Sequence, residues 1–278
     1  MKKIAVILRG HIRKSFDTDK LLNLLTELVK LYDIDIYIHT WNKYEANSSW
    51  RSVDNSNQTI ITSDDIIHYF DIIKNNIKKI IVDDDQNIEL IGPTDGKISL
   101  MPKIAWKRMW YGINNITQSI PDSMNYNLLL TTRFDNCDTI QSINLGYGIN
   151  IIKQMMDNFF LLDKNEIVFM KNSIDQGIDN FYMGPVKLIK QLHEKFNCDL
   201  ETIISLNPTV VCQEYLVFYE GNKINKSEQN EQNEQNEQIK QIEKTDEKTD
   251  KKTDEKTNVI LKKLLNKKTK NVILRLLK

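Results

Sequence analysis

Asn127-Leu128-Leu129-Leu130-Thr131-Thr132-Arg133-Phe134-Asp135-Asn136-Cys137-Asp138 is the stretch on which the fold turns. Its three leucines and two threonines make a short apolar, partly β-branched run, the pattern of a strand buried on both faces. The run stops abruptly in charge. In an open α/β sheet, ligands bind outside the carboxyl ends of strands. A buried strand that delivers Arg133, Asp135 and Asp138 to that edge therefore marks a candidate site. Asp and Asn are also ordinary turn formers, so an acidic end is how an unremarked strand stops as well.

Upstream, Ile4-Ala5-Val6-Ile7-Leu8 reads as a central parallel strand. It breaks into Arg9-Gly10-His11-Ile12-Arg13. Arginine forks match phosphate oxygens and glycine lets a backbone come close, so this loop suits an anion, or else is a basic solvated turn. Leu21, Leu24, Leu25, Leu28 and Leu31 recur at helical spacing, with Asp17 placed to cap them. Ile34, Ile36 and Ile38 then form a second strand ending at His39-Thr40-Trp41, which completes a βαβ unit and puts His39 and Trp41 at the edge shared with Arg9. Trp41 there either stacks on a base or sugar or caps the core. Residues 45–62 read as a loop, and Ser63 as the cap of a short helix over 64–70. Ile77, Ile80, Ile81 and Val82 predict a third strand closed by Asp83-Asp84-Asp85. Neighbours on an extended segment point to opposite faces, so this acidic triplet reads as a solvated turn and not a cation site. A turn at 92–96 and an aromatic helix over 101–120, built around Trp106, Trp110 and Tyr111, lead back to the opening stretch.

Downstream, a strand is predicted over 166–170, then a polar, acid-bearing loop over 171–180 and a short aromatic segment, Phe181-Tyr182-Met183-Gly184. Pro185 opens a helix over 186–196, with His193 at the surface or half-buried. A last apolar run over 209–219 carries Glu214, which either points outward or belongs to a site.

The 278 residues suffice for one large domain or two small ones. Lys plus Arg equals Asp plus Glu at 38 each. The balance is uneven, because 257–278 holds Lys262, Lys263, Lys267, Lys268, Lys270, Arg275 and Lys278 and no acid. The rest is accordingly acidic, and no nucleic-acid partner is expected. Cys137, Cys198 and Cys212 are widely spaced and odd in number, which fits a reducing compartment. Arg9 interrupts the first apolar run too early for a secretory signal, and no run approaches a membrane span. A cytoplasmic protein is expected. From Gly221 the composition shifts. Glu-Gln-Asn repeats and a Lys-Thr-Asp-Glu tract mark 222–256 as a low-complexity linker, disordered or at most a solvated helix, after a domain over 1–221. In 257–278, Leu261, Leu265, Val272 and Leu276 share one helical face among the lysines. Such a basic amphipathic helix suits peripheral contact with an anionic membrane surface, or docking onto a partner or the chain's own domain.

The order of these features resembles a family. Arg9-Gly10-His11-Ile12-Arg13-Lys14-Ser15-Phe16 after the first strand, His39-Thr40-Trp41 after the second, the Trp106 to Tyr111 helix, Arg133-Phe134-Asp135, Asp175-Gln176 and Phe181-Tyr182-Met183-Gly184 together look like the polysaccharide-type glycosyltransferases of bacteria and large DNA viruses. The similarity spans roughly residues 1–220. It implies an α/β, GT-A-like (Rossmann-type) fold, a mostly parallel sheet with helices on both faces. It also implies a nucleotide-sugar donor and a glycan or glycolipid acceptor. In that family an acidic motif holds Mn²⁺ or Mg²⁺ against the donor diphosphate; here it falls on Arg133-Phe134-Asp135, with a guanidinium where the better-known form has its first carboxylate. The resemblance makes Asp135 and Asp138 the metal ligands. Donor binding falls to Arg9, Gly10, Arg13, His39, Trp41, Arg133 and Asp135. Asp175, with Asp179 as the alternative, takes the acceptor's proton. A nucleotidyl- or phosphotransferase, and a non-catalytic sugar-nucleotide or glycan-binding module, are the other readings.

Overall fold

Every residue from Ile4 to Leu8 is buried, whichever side of the chain it faces, and this places the first strand at the centre of a covered sheet. The computed structural model describes residues 2–45, 58–98, 101–173, 176–208 and 213–249. In it β1 (Lys3–Arg9) pairs in parallel with β2 (Asp33–Trp41) on one side and with β6 (Leu128–Arg133) on the other. β3 (Ile77–Asp83) extends the sheet in parallel beyond β2. Beyond β6 lie β8 (Gln176–Gly184), antiparallel to it, and β7 (Val168–Ser173), antiparallel to β8. The order is β3-β2-β1-β6-β8-β7. The chain thus has an α/β fold with a mostly parallel six-stranded sheet.

Alternation along β1 divides the core. Ile4, Val6 and Leu8 join a cluster with α1 (Lys20–Leu31), α2 (Ser63–Tyr69) and α5 (Ile149–Leu161). Ala5 and Ile7 join a second cluster with α3 (Lys103–Gln118), α6 (Val186–Cys198), α7 (Leu200–Leu206) and the start of α8 (Gln213–Thr249). Helices therefore cover both faces. A two-stranded ribbon, β4 (Lys97–Ile98) with β5 (Met101–Pro102), precedes α3, and a five-residue α4 (Ile140–Asn144) follows β6.

Several expectations change. Residues 171–173 and 176–180, expected in a loop, are strand: β7 and β8 pair antiparallel, and Ile178, Phe181 and Met183 bury into the first cluster. Two of the polar residues, Asp179 and Asn180, stand where an apolar pattern would have shown a strand, and they contact the arginines at the sheet edge. The run over 209–219 is helical from Gln213 onward, with Leu216 and Val217 buried and Glu214 half-buried. Thr62, one residue before the expected cap, closes a reciprocal capping box with Asp65, so Ser63 is already helical. Asp19, not Asp17, precedes α1, and its side chain makes no cap hydrogen bond. His193 is fully buried, not at the surface: its ring bonds the Thr117 and Tyr182 hydroxyls at 2.7 and 2.6 Å. Burial pushes its pKa well below the usual histidine range.

The chain separates into two units, residues 1–121 with 125–225, and residues 122–124 with 226–278. The boundary expected after 221 falls inside α8, whose Glu, Gln and Lys residues are good helix formers. Of the expected tract, residues up to Thr249 are helical, and their described side chains are mostly exposed. The amphipathic segment 257–278 lies outside the described residues. No described helix is long and apolar enough to cross a membrane. Cys137 and Cys198 are free thiols, and Cys212 lies outside the described residues.

One glycine fixes the approach of α3 to the sheet. A Cβ at Gly112 would lie 2.1 Å from Cε1 of His39. On an exposed helix a glycine-to-alanine change stabilises by about 1 kcal/mol. Gly112→Ala is expected to destabilise instead, by about 1–3 kcal/mol through overpacking, read as a lower denaturation midpoint in urea.

Candidate functional site

The switch in strand order sits at β1. From it the chain passes through α1 on one face to β2, and later through α3 on the other face to β6 on the opposite side. The crevice outside the carboxyl ends of β1 and β6 is therefore a topological switch point, the place where open α/β sheets bind ligands. The register pairs His39 with Arg9 and Arg9 with Arg133. With the two-residue period of strands, all three side chains rise on the face of the second core cluster, in a row across three neighbouring strands.

Arg9 is 1% exposed. One Nη donates to the backbone carbonyl of Asp179 and lies 3.8 Å from its carboxylate. Its Nε is buried without a hydrogen-bond partner. Burial lowers its pKa, opposed by the charge of Asp179. Beside it Gly10 takes a φ of +92°, open chiefly to glycine, and a Cβ there would meet nothing within 4 Å. The backbone just after the buried Arg9 is thus bordered by open space.

Asp135 ties the two strand ends together. It lies in the 3₁₀ turn Phe134–Cys137 that follows β6, and it is buried. Arg133 grips it with a fork, Nε to Oδ1 at 2.8 Å and Nη2 to Oδ2 at 2.7 Å. Arg13, from the loop after β1, donates to the same Oδ2. Arg13 holds a φ of +54°, uncommon for a non-glycine residue, and its amide donates to the Tyr44 carbonyl at 2.9 Å. The remaining Nη of Arg133 reaches Oδ1 of Asn180 at 2.9 Å, and Asn136 donates to the Asn180 carbonyl at 2.7 Å. Burial works against the charge of Arg133, but Asp135 outweighs it and holds the pKa above the ordinary value; Glu214 acts on it more weakly in the same direction.

The expected metal ligands do not converge. Both oxygens of Asp135 accept from guanidinium groups, while Asp138 accepts from Lys20 Nζ at 3.0 Å and keeps its other oxygen buried without a hydrogen-bond partner. A divalent cation needs several oxygens turned toward one point. Among the described residues no three His, Cys, Asp or Glu side chains are so grouped. As they stand, these residues do not fit Mn²⁺ or Mg²⁺.

Of the two expected acceptor bases, Asp175 lies outside the described residues. Asp179 is 2% exposed and faces Arg9, which suits positioning that guanidinium and not meeting an acceptor. Trp41 caps the core: 3% exposed, it packs against His39 at 4.9 Å and stacks on Tyr111 at 6.4 Å between centroids. His39 is also buried, bonded at 3.1 Å to Asp83, whose pKa that contact lowers. Asp85, from the acidic triplet, is buried against Arg108 at 2.9 Å.

Three contributors escaped the sequence reading. Asn180 and Asn136, which lock the Arg133 fork, sat in segments read as loop and turn. Tyr182, whose charge environment includes Arg9, was read as part of an aromatic segment with no role at the site. No period-two pattern marks them, because Asp179 and Asn180 stand side by side where an alternating strand would have one apolar residue.

His11, at the rim, has a pKa pushed down to about 4 by burial, against the Lys43 carbonyl and beside Arg13. Its folded value lies below its ordinary 6.5, so its stabilising contribution is complete above pH 6.5 and is lost as pH falls toward 4. Melting curves should show a loss of about 1–2 kcal/mol between pH 7 and 5. The loss should shrink in His11→Asn, which can still donate to the Lys43 carbonyl. Compared with known protein families, curated proteins and solved structures, the chain matches none of them.

Proposed function

We propose that this chain is a glycosyltransferase, with a GT-A-like form of the α/β sheet, that moves a sugar from a nucleotide-sugar donor to a glycan or lipid-linked acceptor. The observation that supports it most is the gathering of Arg9, Arg13 and Arg133 at the switch point of the sheet. A sugar–diphosphate bond that breaks leaves negative charge on the departing phosphate. Guanidinium groups already gathered at the strand ends are placed to stabilise that charge.

In an inverting transfer a carboxylate must take the proton of the acceptor hydroxyl. Asp175 fills that role in this reading. Asp179 and Asn180 serve the arginines, the first through Arg9 and the second through Arg133.

The test is turnover of UDP-, GDP- and dTDP-sugars, followed by release of the nucleoside diphosphate. Release is expected with one donor. Asp175→Asn should lower kcat by at least about a hundredfold, the low end of general-base catalysis, and leave donor binding intact. Release of pyrophosphate instead would assign a nucleotidyltransferase. Donor binding with no turnover would leave the non-catalytic binding module.

A further inference from the structure

We propose that Arg9, Arg13 and Arg133 hold a phosphate or diphosphate oxyanion without a divalent cation, and that Asp135 is the internal anion which the ligand displaces. Naming the oxyanion as the diphosphate of a sugar donor rests on the glycosyltransferase reading. The grip on an oxyanion does not.

The argument starts from what the Asp135 carboxylate occupies. It fills the two-pronged fork of Arg133 and takes a third donor from Arg13. A guanidinium fork accepts carboxylate and phosphate through the same parallel pair of hydrogen bonds, so a phosphate can replace this carboxylate donor for donor. The two arginines come from different strand ends, and the carboxylate between them bridges the switch-point crevice. A metal-binding aspartate would need an oxygen turned away from cations; both oxygens of this one are turned toward them.

One further feature has no use in the closed arrangement. The Nε of Arg9 is buried and unpartnered, a desolvated donor that a bound oxyanion would satisfy. The next residue, Gly10, is bordered by open space where a side chain would stand. A spare donor and a replaceable anion lie at the ends of two neighbouring strands, β1 and β6. Once displaced, Asp135 remains close to three cations, so the carboxylate lowers affinity by competition and holds the arginines in place before the ligand arrives.

The sign of one substitution separates this from metal binding. Calorimetric titration of the full chain with inorganic pyrophosphate is expected to show binding in EDTA, unchanged within a factor of two by Mg²⁺. Asp135→Asn removes the competitor and keeps the shape, so pyrophosphate should bind about tenfold more tightly, or about 1.4 kcal/mol. Binding only with Mg²⁺ or Mn²⁺, or lost in Asp135→Asn, would overturn the proposal. Arg13→Gln, a change in a half-buried loop residue, keeps the test sharp if Asp135→Asn does not fold. It should weaken pyrophosphate at least tenfold, and unchanged affinity would overturn the proposal equally. Nucleoside diphosphates binding more tightly than pyrophosphate would place the ligand on a nucleotide donor, and equal affinity would favour a lipid-linked diphosphate. If pyrophosphate binds as expected while no nucleotide-sugar is turned over, the oxyanion grip stands and the glycosyltransferase reading falls.

Discussion

A guanidinium buried at the end of the central strand is the constraint around which the carboxyl edge is arranged. Arg9 cannot retreat to water, because β2 and β6 flank its strand and helices cover both faces. A buried charge must be compensated or it destabilises the fold. Here β8 brings the Asp179 carbonyl and carboxylate to it. The same demand repeats one strand over. Arg133 is answered by Asp135 and Asn180, and Asn180 is again a gift of β8. The strand pair that the sequence presents as a polar loop is thus the element that neutralises the row of arginines.

On the opposite side of that row, His39 reaches Asp83, and α3 comes close only because residue 112 is glycine. Below it, Tyr182, His193 and Thr117 form a closed set of hydrogen bonds between the sheet, α6 and α3. These groups are buried. They fix the helices that wall the site, and a fully satisfied polar set of this kind specifies one packing over its alternatives.

How much of this could be read in advance follows a physical pattern. Strands buried on both faces announced themselves, because Ile4 to Leu8 and Leu128 to Leu130 have no other use for such apolarity. The parallel order followed from the helical spacing between them. The arginines at the strand ends were legible for the same reason, charge directly after a buried run. What could not be read was pairing. Arg133 stands two residues from Asp135, but nothing local says that it folds back as a fork on both oxygens or that Arg13, more than a hundred residues away, joins it, and nothing local to His193 says that two hydroxyls await it in the core. The polar strand over 176–180 was misread because site residues replace the apolar ones that periodicity needs. Residues 222–249 combine a disorder-like composition with good helix formers, and the backbone followed the second property.

The central claim is that the three arginines at the switch point are the ligand's first contact and that Asp135 holds their places until it arrives. Nitrogen and proton resonances of the arginine Nε–Hε groups test this most directly, because the free protein gives each a different partner: Asp135 for Arg133, none for Arg9. On adding pyrophosphate in EDTA, the account expects the Arg9 signal to move downfield as its spare donor is satisfied. The Arg133 signal should shift in the same titration as its acceptor changes from carboxylate to phosphate. If neither signal moves while pyrophosphate binds, the oxyanion lies elsewhere and the account is contradicted.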